Sequence, residues 1–173
     1  MVSPIQRQPT YKPATTVQRD FSSHTRNESM SNFQLNPFAL NAAGALLVEQ
    51  CHGASNDAGW WRNDKRDLRL VIQDPANDTE RMLAGAFVAQ KLCLIHSEIS
   101  EAMEGHRKGL ADDKLPHRLM IEVELADAVI RIADLAGALG LDLGGAIADK
   151  MAFNQHRPDH KPEARQAAGG KAY

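Results

Sequence analysis

The chain has 173 residues, enough for one modest domain with a real core and no need of disulfides. Hydrophobic residues make up 43% and charged residues 24%, as in ordinary soluble globular proteins, and the formal net charge of −2 argues against bulk electrostatic binding of nucleic acid. No apolar run approaches ~20 residues, so no membrane span and a cytoplasmic location are expected. Cys51 and Cys93 lie far apart, without metal-type spacing, and read as reduced core thiols.

Residues 1–36 are expected to be a disordered tail, because they carry Pro4, Pro9, Pro13, many Ser and Thr and few aliphatic residues. Their mild basicity is weakly like an organellar transit peptide, but the prolines break any amphipathic helix. Met30, just before the globular part, offers an alternative start. Four helices follow within a domain spanning 37–158. Pro37 suits a first helical turn, Leu40, Ala43, Leu46, Leu47 and Cys51 keep helical spacing, and Gly53 predicts the end of the first helix. The segment 54–76 reads as irregular; its apolar run Leu68–Ile72 is compatible with a strand or a helical turn.

The second helix is expected over 78–104. Asn77 and Glu80 resemble a capping box, Met82, Leu83, Phe87, Leu94 and Ile95 form the apolar stripe, and Gly105 closes it. A polar loop covers 106–116. A third helix is expected over 117–139, with Gly140 as its stop, and a fourth from Asp142 to about Arg157, where Pro158 follows. Residues 159–173 form a polar C-terminal tail. Helices dominate and no repeat occurs, so the fold class is all-α, a bundle.

Two carboxylate pairs carry the most chemistry: Glu98 with Glu101, and Glu124 with Asp127. Spacing of i, i+3 puts each pair on one helix face, about 60° apart around the axis. Four acidic groups drawn together repel, and a hard cation such as Mg²⁺ relieves that repulsion through oxygen ligands. The competing reading is a solvated acidic face, but each pair sits inside a hydrophobic run. Lys150, Asn154 and Arg157, at i, i+4 and i+7, share a face suited to polyphosphate; a basic helix C-terminus is the plainer explanation. Trp60 and Trp61 follow Gly59 and are candidates for stacking on a nucleobase, or for ordinary packing. Glu49 and His52 form a single Glu-x-x-His, whereas a di-iron bundle needs two. No P-loop or zinc signature is present.

The order of these parts resembles the MazG-like, all-α nucleoside triphosphate pyrophosphohydrolases. That family carries Glu-Glu-x-x-Glu on one helix and Glu-x-x-Asp on the next. The counterparts are Ser97-Glu98-Ile99-Ser100-Glu101 and Glu124-Leu125-Ala126-Asp127. Its last helix usually carries Lys-x-x-x-Asn-x-x-Arg, matched by Lys150, Asn154 and Arg157, and the tail Gly169 to Tyr173 is similar to the phage and bacterial branch. The likeness covers about His52 to Tyr173. It departs at Ser97, where the family motif has a glutamate that serves some relatives as a candidate base.

The resemblance implies a four-helix MazG-like bundle completed by oligomerisation, as a homodimer or homotetramer. It also implies Mg²⁺-dependent hydrolysis of a nucleoside triphosphate, canonical or not, to monophosphate and pyrophosphate: nucleotide-pool house-cleaning. Glu98, Glu101, Glu124 and Asp127 would hold Mg²⁺ (or Mn²⁺ in its place), with Glu98 and Glu101 catalytic. Lys150, Asn154 and Arg157 would bind phosphate and sugar, and Trp60 or Trp61 the base. The alternative is a catalytically inactive helical module that binds nucleotide or metal and regulates.

Overall fold

Asn36 opens the first helix: its side-chain oxygen accepts the Ala39 N–H at 3.0 Å, and Pro37 occupies the first turn. The computed structural model describes residues 33–63, 66–157 and Ala164. The expected tails, up to residue 32 and (Ala164 apart) beyond Arg157, lie outside the described residues. Leu35–Tyr173 makes one unit and Met1–Gln34 another; of the latter only Phe33 and Gln34 are described, in no regular structure.

The described chain is mostly helical: α1 (Pro37–Asp57), α2 (Leu68–Gln73), α3 (Asp78–Lys108), α4 (Met120–Ala138) and α5 (Leu143–His156). Two short strands, β1 (Arg62–Asn63) and β2 (Arg66–Asp67), pair antiparallel between α1 and α2, with Arg62 opposite Asp67. The all-α expectation therefore stands for the described residues, with five helices rather than four. The undecided run Leu68–Ile72 is helical, because the Asp67 carboxylate accepts the Arg69 N–H at 3.0 Å and caps it.

Three helix ends differ from expectation, each for a local reason. Helix α1 passes through Gly53 and stops at Asp57, because His52 in the same turn is tied to Asp134 of α4. A mid-helix glycine costs about 1 kcal/mol relative to alanine, which such a contact offsets. Gly105 does not end α3 but lies buried against Met120, where an added Cβ would come within 2.8 Å of the Met120 side chain. Gly109, in the left-handed region at φ +63°, is the actual stop. Helix α4 starts at Met120, later than expected. The preceding turn folds back on itself, with the Met120 N–H donating to Leu110 O and the Asp112 N–H to Arg118 O.

Helix α3 runs along α4; α1 packs on both α4 and α5, and α2 lies on α3. The centre of the core is Trp61, Leu135 and Ala138, with Ile72, Phe87, Ile95 and Leu139 packed around it. Elsewhere the helices meet through small residues. Gly44 of α1 lies so close to Gly144 of α5 that a Cβ on it would stand 2.5 Å from the Gly144 Cα. By length and composition alone α3 is apolar enough to cross a membrane, although polar residues interrupt its apolar runs.

Candidate functional site

The carboxylate pairs meet because α3 and α4 lie side by side. Carboxylate oxygens of Glu98, Glu101 and Glu124 all fall within 4.8 Å of one another. Asp127, one turn beyond Glu124, lies outside that trio but lines the same 510 Å³ cavity, together with Asp112 and Arg131. Glu98 and Glu124 are buried and Glu101 is exposed. Such crowding has an electrostatic signature. Burial first, then a hydrogen bond with Glu98 and the charges of Glu101, Glu98 and Asp127, pushes the Glu124 carboxyl up to about 7.

Arg131 partly relieves the crowding, with its Nε 2.7 Å from Glu98 Oε1. Sequence reasoning missed this residue, although it follows Asp127 by four positions and so shares its helix face. Ser97, at the departure from the family motif, donates its hydroxyl to Leu94 O at 2.7 Å. That hydrogen bond ties it to the backbone of its own helix. Asp112 braces the loop that closes one side of the cavity, accepting the Lys114 and Leu115 N–H groups at 3.0 and 2.6 Å.

A second cavity, of 290 Å³, shares Asp127 and Arg131 with the first and is otherwise lined by Ser55, Trp60, Lys91, Leu94, Ile130 and Asp134. The two adjacent tryptophans part company here. Trp60 is 69% exposed on the cavity wall, whereas Trp61 is wholly buried. Its Nε1–H donates to Asp134 Oδ1 at 2.7 Å and its ring packs edge-on against Phe87 and His52. Trp61 therefore offers no face to a ligand; the structure corrects the expectation that either tryptophan can stack on a base. Asp134 also accepts from His52 Nδ1 at 2.9 Å, which gives that histidine a packing role.

Lys150 and Asn154 lie on α5, and Arg157 caps its C-terminal end. Lys150 and Arg157 flank the Phe153 ring at 4.9 and 5.9 Å. None of the three lines either cavity at the carboxylates. The buried Asn154 Oδ1 finds no hydrogen-bond partner among the described residues. Lys91 and Asp134, which do line a cavity, were not singled out by sequence reasoning. The available signal was periodicity: Lys91 lies at i−7 from Glu98, and Asp134 at i+7 from Asp127.

Comparison with protein-family models, with curated proteins and with solved structures gave no match. The functional reading therefore rests on the residues, their geometry and the resemblance of the sequence motifs.

Proposed function

We propose that this chain is a MazG-like, all-α nucleoside triphosphate pyrophosphohydrolase, dependent on Mg²⁺ (or Mn²⁺) and serving cytoplasmic nucleotide-pool house-cleaning. The observation that carries the reading is the convergence of Glu98, Glu101 and Glu124 in one cavity with Asp127. The donor set is all oxygen, as a hard divalent cation requires, and Glu124 resists ionisation where no cation compensates. Glu98, Glu101, Glu124 and Asp127 would hold the ion. When bound, Mg²⁺ neutralises phosphate charge and acidifies a water.

The chain's own residues would do the rest. A water oxygen joins the α-phosphorus, the bond from it to the α–β bridging oxygen breaks, and pyrophosphate leaves. Glu101 is the best-placed base for the water's proton, being exposed, at the cavity and without an ion-pair partner among the described residues. Ser97 does not take that role, since a hydroxyl held on Leu94 O has no proton-accepting strength near neutral pH. Trp60 would meet the base. Lys150, Asn154 and Arg157 enter this reading only through the resemblance.

The same proposal includes a MazG-like bundle completed by a second copy. Leu92, Ile99 and Met103 on α3, and Leu125, Val129 and Ile132 on α4, are large apolar residues left exposed. Their spacings of i, i+7, i+11 and i, i+4, i+7 give each helix a continuous uncovered stripe, which supports burial against another copy.

One observation favours the inactive regulatory module: Arg131 already neutralises Glu98 without any metal ion. Incubating the purified protein with a panel of canonical and modified nucleoside triphosphates, with Mg²⁺ and with EDTA, separates the two. Metal-dependent release of pyrophosphate and monophosphate supports the enzyme. Metal binding without release from any nucleotide selects the module.

A further inference from the structure

The second cavity holds a cation, Lys91, that has no ion-pair partner among the described residues. Lys91 shares a face of α3 with Glu98, and its Nζ lies 4.3 Å from the centroid of the Trp61 ring and 5.5 Å from that of Phe87. Trp61 is wholly buried and anchored by Asp134, so the lysine rests on a fixed aromatic floor. Burial holds its pKa below the ordinary lysine range, with Arg131 adding to the effect and Asp134 opposing it.

Among the described residues no carboxylate lies within ion-pair distance of Lys91 Nζ. Asp134 is the nearest candidate by position, but its Oδ1 already accepts from Trp61 and His52. The charge of Asp134 and the aromatic floor offset part of the cost of half-burying this ammonium, and an anion entering the cavity offsets more. Arg131, on the wall shared by both cavities, uses its Nε on Glu98 and carries further N–H donors on the same guanidinium. Asp127, on that shared wall, belongs to the carboxylate set.

We propose that Lys91 and Arg131 bind the polyphosphate of the substrate, between the carboxylates on one side and Trp60 on the other. The inference rests on the pyrophosphohydrolase reading and deepens it: the phosphate-binding cations come from α3 and α4 of the same chain that supplies the carboxylates.

Calorimetric titration of the full chain with inorganic tripolyphosphate, in Mg²⁺, tests it. Lys91→Met is expected to weaken binding about tenfold or more, and Lys91→Arg to keep it within about threefold. Mg²⁺ affinity without tripolyphosphate stays unchanged in both. Because Lys91 packs on the core, a second measurement uses the native protein: tripolyphosphate is expected to protect Lys91, and not Lys150, from amine acylation read by mass spectrometry. Equal labelling of Lys91 with and without the anion overturns the proposal, as does Lys91→Met binding as tightly as the native chain. Native protein that binds tripolyphosphate through Lys91 yet releases no pyrophosphate from any nucleotide keeps the anion site and overturns the enzymatic reading. Turnover with an unchanged KM in Lys91→Met does the reverse.

Discussion

Glu98 and Glu124 bring carboxylate oxygens within 4.8 Å of one another across the contact between α3 and α4, and two buried carboxyl groups so close favour keeping a proton. Near neutral pH Glu124 is therefore poised between its acid and its carboxylate form. A divalent cation would replace the proton, so the same geometry links pH, metal and fold stability.

The pH dependence follows with a definite sign. The Glu124 pKa is raised from 4.5 to about 7 in the fold, so between those values the folded chain holds a proton that the unfolded chain has lost. This group's contribution to stability is then greatest at acid pH and falls as pH rises through about 7, by on the order of 3 kcal/mol. In EDTA, the native Tm is expected to fall between pH 5 and pH 8 by more than that of Glu124→Gln. Mg²⁺ is expected to restore it at pH 8, with proton release on binding near pH 7. Parallel Tm curves for the two proteins would contradict the account.

Asp134 is the hinge of the buried polar network, receiving both Trp61 Nε1 and His52 Nδ1. Asp134→Ala leaves the buried indole N–H without an acceptor and is expected to cost about 2–3 kcal/mol in denaturant unfolding. Asp134→Asn, which keeps a carbonyl oxygen, is expected to cost less. Equal losses in the two variants would show that the acceptor is not what matters.

The contact between α1 and α5 predicts a backbone penalty. A methyl group at position 44 meets the Gly144 backbone rather than a movable side chain. Gly44→Ala is expected to lower stability by about 1–3 kcal/mol despite alanine's better helix propensity. Gly53→Ala, with open space around its Cβ, is expected to be neutral or stabilising. Thermal melts of the two variants give the comparison.

Much of this was legible in the sequence. Pro37, Asn77 with Glu80, and Asp142 mark helix starts by local chemistry, and both caps are made: Asn77 Oδ1 receives the Glu80 N–H at 2.9 Å and Asp142 Oδ1 the Gly145 N–H at 2.8 Å. The i, i+3 carboxylates were readable for the same reason, since a helix fixes their face. What escaped depends on which helices are neighbours. Gly53 and Gly105 read as stops until His52 meets Asp134 and Met120 covers Gly105. The division of labour between Trp60 and Trp61, and the approach of Arg131 to Glu98, are likewise set by packing and not by spacing.

Ser97 offers a test of the base. Its hydroxyl is committed to Leu94 O, so Ser97→Ala is expected to leave turnover within about twofold. A hundredfold loss, with the fold intact by circular dichroism, would give Ser97 a direct part in the chemistry.

The most direct test of the central claim compares pyrophosphate release by the native chain and by Glu101→Ala, in Mg²⁺, with Tm and oligomeric state measured alongside. Glu101 is exposed, so its loss removes a ligand and the proposed base without emptying the core. The account predicts Mg²⁺-dependent release by the native chain, a loss of about a hundredfold or more in the variant, and an unchanged assembly with a Tm in EDTA no lower than the native chain's. Equal turnover in the two proteins, or release that EDTA does not stop, would contradict it.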